Sequence, residues 1–111
     1  MTECIFCKIV NHELPCDKIY EDEDYLAFYD LYPKADTHAL VIPKKHIHSL
    51  KETQKDDEIL MGKLTLLLPK IASMLNLTDG FRTVINTGKG GGQEVFHIHY
   101  HILGGKKLPK F

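Results

Sequence analysis

Between Phe96 and Ile102 the chain reads Phe-His-Ile-His-Tyr-His-Ile, a histidine at every second position with apolar residues between them. An extended strand turns successive side chains to opposite faces, so this spacing predicts a strand over Val95 to Leu103. His97, His99 and His101 then stand in one row, roughly 7 Å apart, and Phe96, Ile98, Tyr100 and Ile102 fill the other face. The row marks a site and the apolar face a core. Imidazole changes charge near neutral pH, so an aligned set supplies a base or nucleophile with neighbours that tune it. Immediately upstream lies Gly88-Lys89-Gly90-Gly91-Gly92. Glycines can turn several backbone N–H groups toward one point, a concavity suited to phosphate oxygens. A glycine run alone is most often a hairpin turn. Beside a histidine row it points to a phosphate held against an imidazole.

The rest of the chain supports one domain, residues 1–111, without a repeat or linker. Lys plus Arg number 14 against 15 Asp plus Glu, a formal charge of -1, so neither a general nucleic-acid surface nor a membrane surface is expected. No apolar run approaches the length of a membrane span, and a soluble, cytoplasmic protein is expected. Residues 4–10 suit a short helical turn. Lys18 to Tyr20 and Tyr25 to Tyr32 suit a hairpin around the acidic Glu21-Asp22-Glu23-Asp24, most simply a solvated turn, with Pro33 ending its second strand. His38 to Pro43 suits a buried strand. Thr53-x-x-Asp56 offers an N-cap for a helix whose apolar face is Leu60, Leu64, Leu67, Ile71, Met74 and Leu75. Pro69 inside that helix predicts a kink. Phe81 to Asn86 suits a further strand. Three cysteines in a reducing compartment leave Cys4-x-x-Cys7 as a metal or a redox pair, with Cys16 over.

The run from Gly92 to Gly105, Gly-Gln-Glu-Val-Phe-His-Ile-His-Tyr-His-Ile-Leu-Gly-Gly, resembles the signature of the histidine triad (HIT) family in its Hint branch. The likeness extends to Cys4-Ile5-Phe6-Cys7-Lys8-Ile9, Ala27-Phe28-Tyr29-Asp30 and the stretch from Thr37 to His46, and so covers nearly the whole chain. It implies an α+β fold, a five-stranded antiparallel sheet with one long helix and a short N-terminal helix, paired as a homodimer with a ten-stranded sheet. The implied activity is hydrolysis or transfer at the α-phosphorus of a purine nucleotide, above all of an adenosine phosphoramidate, through a nucleotidyl-histidine.

Carried onto this sequence, the family pattern makes His99 the nucleophile and gives His101 the contact to phosphate and leaving group, with His97 and His38 nearby. The backbone at Gly92, Gln93, Glu94 and Val95 would cradle the phosphate oxygens, aided by Asn86. Asp30 would take the ribose hydroxyls, and Phe28, Leu31 and Ile42 would enclose the base. Without the resemblance these are an ordinary strand-end acid, a turn former and core residues. Glu94 stands where some Hint proteins carry a serine; an ionised carboxylate cannot donate, so its N–H is expected to serve while its side chain turns away. In HIT proteins with the cysteine pair, a structural zinc is held by the two thiolates, a histidine after the Pro-Lys segment and the first triad histidine, here Cys4, Cys7, His46 and His97. His12 and His48 fit no pattern and are expected in solvent.

Three other readings compete. A thioredoxin-like oxidoreductase would use Cys4 and Cys7 but lacks the βαβ start and leaves the histidines idle. A Fhit-like dinucleoside polyphosphate hydrolase would apply the same nucleophile to another leaving group. A nucleotide-binding interaction protein would retain the site with residual hydrolysis.

Overall fold

A computed structural model of the chain describes residues 4–111. The elements are α1 (Ile5–Val10), β1 (Lys18–Glu21), β2 (Tyr25–Tyr29), β3 (Thr37–Pro43), α2 (Glu58–Met74), β4 (Arg82–Val84) and β5 (Tyr100–Gly104). Short 3-10 turns at Leu50–Glu52, Lys55–Asp57 and Lys89–Gly91 join them. The strands form one antiparallel sheet in the order β1-β2-β3-β5-β4.

Both faces of the sheet's centre are covered, which is why β2 and β3 are apolar without alternation. On one face Tyr25, Ala27, Ala39, Val41 and Ile102 pack on Leu64, Leu67, Leu68 and Ile71 of α2. On the other, Leu26, Phe28, Leu40 and Ile42 pack on Phe6 of α1. Pairing of Leu40 with His101 and of His38 with Leu103 puts both histidines on this second face, beside that smaller cluster. The two-residue period of the strands thus separates a helix-covered core from a side-chain layer free for chemistry.

Five expectations shift. The histidine segment joins the ladder only from Tyr100, so His97 and His99 precede the strand. Ile98 leaves the expected register because its N–H donates to the Ile47 carbonyl at 2.7 Å. The acidic hairpin turn is structured: Asp22 Oδ1 accepts from the N–H groups of Asp24 and Tyr25, each at 2.8 Å, and Glu21 pairs with Lys18 and Lys44. β2 ends at Tyr29 rather than Tyr32, because Asp30 Oδ1 takes the Tyr32 N–H and turns the chain. The N-cap of α2 is Asp57, whose carboxylate closes the preceding Lys55–Asp57 turn by accepting the Gln54 N–H at 2.9 Å, while Thr53 Oγ1 donates back to the Leu50 carbonyl. The helix runs on through Pro69 to Met74, and Met74 is exposed rather than core. Among the described residues no helix is long and apolar enough to cross a membrane.

Candidate active site and thiol-imidazole cluster

A cleft of about 570 Å³ opens on the sheet face opposite α2. Phe6, Ile9 and Phe28 form its apolar wall, and Asp30, His38, His99 and His101 stand at its polar end with Asn86, Glu94 and Val95. Leu31, 81% exposed, sits at the mouth. Of the residues expected around a nucleotide, Phe28, Asp30, Leu31, Asn86, Gly92, Glu94 and Val95 line this one cleft. Ile42 does not: it is wholly buried beside Phe6 and Phe28, backing the wall rather than lining it. α1 supplies Ile5, Phe6 and Ile9, a side of the cleft that strand periodicity could not reveal.

Hydrogen bonds fix the imidazole tautomers. His99 Nδ1–H donates to the His97 carbonyl at 2.8 Å, which leaves Nε2 with its lone pair. His38 Nδ1 accepts the Lys34 backbone N–H at 3.0 Å, so its proton lies on Nε2, which donates to His101 Nδ1 at 2.9 Å. Asp30 Oδ2 flanks that proton at 3.4 Å. His101 therefore carries its own proton on Nε2, a buried atom with no hydrogen-bond partner. One cleft thus holds an imidazole with a free lone pair and a second with an unspent N–H, with ring centroids 5.0 Å apart. Burial disfavours the charged form of all three rings: His99 and His38 are held below the usual histidine range, and burial with neighbouring His99 and His38 takes His101 to about 4. All are neutral at pH 7.

The glycine loop is pinned from inside. Gly88 and Gly92 adopt φ of +74° and +87°, which glycine permits without strain. The Gln93 side chain is buried and staples the loop: Oε1 accepts the Gly88 N–H at 2.8 Å, and Nε2 donates to the carbonyls of His48 and Val95. The N–H of Gly92 donates to the Lys89 carbonyl and that of Gln93 to the Gly88 carbonyl, so both are spent within the loop. The N–H groups of Glu94 and Val95, residues that line the cleft, donate to nothing within the described residues. Gln93 thus spends its side chain on holding the loop and does not line the cleft.

His97 belongs to a different centre. It is fully buried, outside the cleft, with Nδ1 3.4 Å from Cys4 Sγ, 3.6 Å from Cys7 Sγ and 3.2 Å from His46 Nδ1. Cys7 Sγ lies 3.3 Å from His46 Nδ1. The Pro43 carbonyl accepts His97 Nε2–H at 2.8 Å, which aims the Nδ1 lone pair into the cluster. A tetrahedral zinc with ordinary bonds requires S···N separations of about 3.6 Å and N···N of about 3.3 Å. The spacing fits that donor set, and the Pro43 carbonyl is the outer partner such a histidine ligand needs. Asp30, His38 and His101 also converge, but the proton on His38 Nε2 occupies the position a metal would need. His48 is exposed and stacks on Phe96, with ring centroids 4.7 Å apart, and His12 is exposed.

The HIT domain family profile matches residues 11–108. The chain is 52% identical to the protein HitA of Neisseria gonorrhoeae over 104 residues, 94% of this chain and 97% of that one. Its fold superposes on a histidine triad protein from Clostridium difficile with a TM-score of 0.94, at 47% identity over 100% of this chain and 97% of that one. A HIT family hydrolase from Legionella pneumophila gives a TM-score of 0.92 at 44% identity, over 96% of each chain. A sheet whose cleft presents one imidazole's free lone pair and another's N–H beside a glycine loop, matched across nearly its whole length, defines a histidine triad protein. The chain belongs to the HIT family.

Proposed function

We propose that the protein is a nucleotide hydrolase of the Hint type, cleaving purine nucleoside phosphoramidates at the α-phosphorus. The observation that carries this reading is the complementary protonation of His99 Nε2 and His101 Nε2 in one cleft. His99 Nε2 attacks phosphorus and forms the nucleotidyl-histidine as the P–N bond breaks. An amine leaves only with a proton: His101 gives up its Nε2–H as its Nδ1 takes the His38 Nε2 proton, which solvent replaces, so no imidazolate forms. His38 holds that proton in place from behind, fixed in turn by the Lys34 N–H. Water then attacks phosphorus, returns a proton to His101 and frees His99. The N–H groups of Glu94 and Val95 offset the charge gathering on the nonbridging oxygens. Asp30 serves the ribose, and Phe6, Ile9, Phe28 and Leu31 cover the base.

Cys4, Cys7, His46 and His97 hold a structural zinc, which ties α1 to the start of the catalytic segment and leaves no coordination position for water. The protein acts as a homodimer in a reducing, cytoplasmic setting. The outward face of α2 exposes Ile59 (72%) and Leu66 (78%), and β4 is an open edge of the sheet, surfaces that a second copy would cover. Steady-state rates on adenosine phosphoramidate and on diadenosine polyphosphates, measured side by side, test the substrate class. The expected result is a kcat/KM at least tenfold higher for the phosphoramidate; a preference for the dinucleotides would move the protein to the Fhit-like class.

A further inference from the structure

Lys34 stands in the turn between β2 and β3 and lines the cleft beside Asp30, Tyr32, His38 and His101. Its backbone is anchored, because its N–H donates to His38 Nδ1, but its side chain is exposed and makes no ion pair among the described residues. Lys18, Lys44 and Lys45 each hold a carboxylate. Asp30, an acid of the same turn, is engaged elsewhere, with Oδ1 on the Tyr32 N–H and Oδ2 facing His38. The ammonium is nevertheless close enough for its charge to oppose protonation of both His38 and His101.

In an in-line displacement the leaving atom lies opposite the attacking nitrogen. With His99 attacking and His101 donating to the leaving nitrogen, whatever hangs from that nitrogen passes His101 toward the end of the cleft where Lys34 stands. Resting on the phosphoramidase reading above, we infer that Lys34 sets leaving-group specificity. It favours phosphoramidates whose amine carries an anion, such as the α-carboxylate of an amino acid. During the reaction the P–N bond breaks as His99 Nε2 bonds to phosphorus, the nitrogen takes the proton from His101 Nε2 while His101 Nδ1 takes that of His38 Nε2, which solvent replaces, and the carboxylate stays on the departing amine, paired with the Lys34 ammonium. Water completes the cycle. No other reactant is required.

The test compares kcat/KM for the adenosine phosphoramidates of alanine, with its free carboxylate, and of alaninamide, which is neutral. The wild-type protein should prefer the carboxylate roughly three- to tenfold, the range of a partly exposed charge pair. Lys34→Gln should bring the ratio near one, and Lys34→Arg should retain it, since every variant keeps the N–H that holds His38. Raising the salt concentration should shrink the wild-type ratio and leave that of Lys34→Gln flat. A wild-type ratio near one overturns the inference while turnover of alaninamide upholds the reaction. Equal loss on both substrates in Lys34→Gln also overturns it, placing Lys34 on the α-phosphate instead. Turnover of neither substrate by the wild type would remove the phosphoramidase reading and this inference with it.

Discussion

A buried N–H without a partner costs a folded protein free energy, so the protein partners leave His101 Nε2 unsatisfied at the expense of stability. Its proton is placed by a chain running from the Lys34 amide through both nitrogens of His38. Replacing His38 with Ala should leave nucleotide affinity within a few-fold and lower kcat about 10²-fold, checked by equilibrium titration with AMP beside turnover. The same burial sets an acid limb on stability. The free imidazole titrates near 6.5 and His101 near 4, so between those values the unfolded chain binds more protons and stability falls as pH drops. That one group should cost roughly 2 to 3 kcal/mol between pH 7 and pH 4. Urea unfolding across that range should show a shallower slope in His101→Phe than in the wild type; equal slopes would contradict it.

At the scale of elements, α2 is held by the face that meets the sheet, where Leu64 and Ile71 are fully buried. Ile71→Ala should cost about 2 to 5 kcal/mol in chemical unfolding without a matching change in KM. The thiol-imidazole cluster fastens α1 to the chain before β5 in the same structural sense. Replacing Cys4 and Cys7 together with Ser should therefore lower the melting temperature by several degrees while turnover falls much less, and wild-type protein should carry about one zinc per chain by metal analysis. Much of this was legible from residue types. The α2 face, the β3 strand and the convergence of Cys4, Cys7, His46 and His97 followed from periodicity and family likeness. What was not legible has local causes. Strict alternation suggested that the histidines share one row, but the Ile98 N–H bonds to Ile47 rather than to a neighbouring strand, and His97 turns into the cluster behind the site. Thr53 resembled a cap, yet its hydroxyl serves the preceding turn and Asp57 closes the next one. Gln93 stood among the cradle residues in sequence, but no pattern in the chain announces that its amide spans the loop from within.

Across the whole molecule, the sheet divides labour between its faces: α2 packs one, and the cleft with its imidazoles occupies the other. The uncovered outer side of α2 gives the dimer reading a direct check. Light scattering should give twice the chain mass at micromolar concentration, and Leu66→Asp should shift the population toward monomer; a monomeric wild type would refute it. The proposed reaction turns on one atom, His99 Nε2, left without a proton because Nδ1–H donates to the His97 carbonyl. Rapid acid quench of the protein with labelled adenosine phosphoramidate, followed by peptide mapping, tests that convergence most directly. The label should sit on His99 as an AMP adduct, and His99→Ala should show none while turnover drops by several orders of magnitude. An adduct on His97 or His101, or retention of more than a few per cent of activity in His99→Ala, would contradict the account.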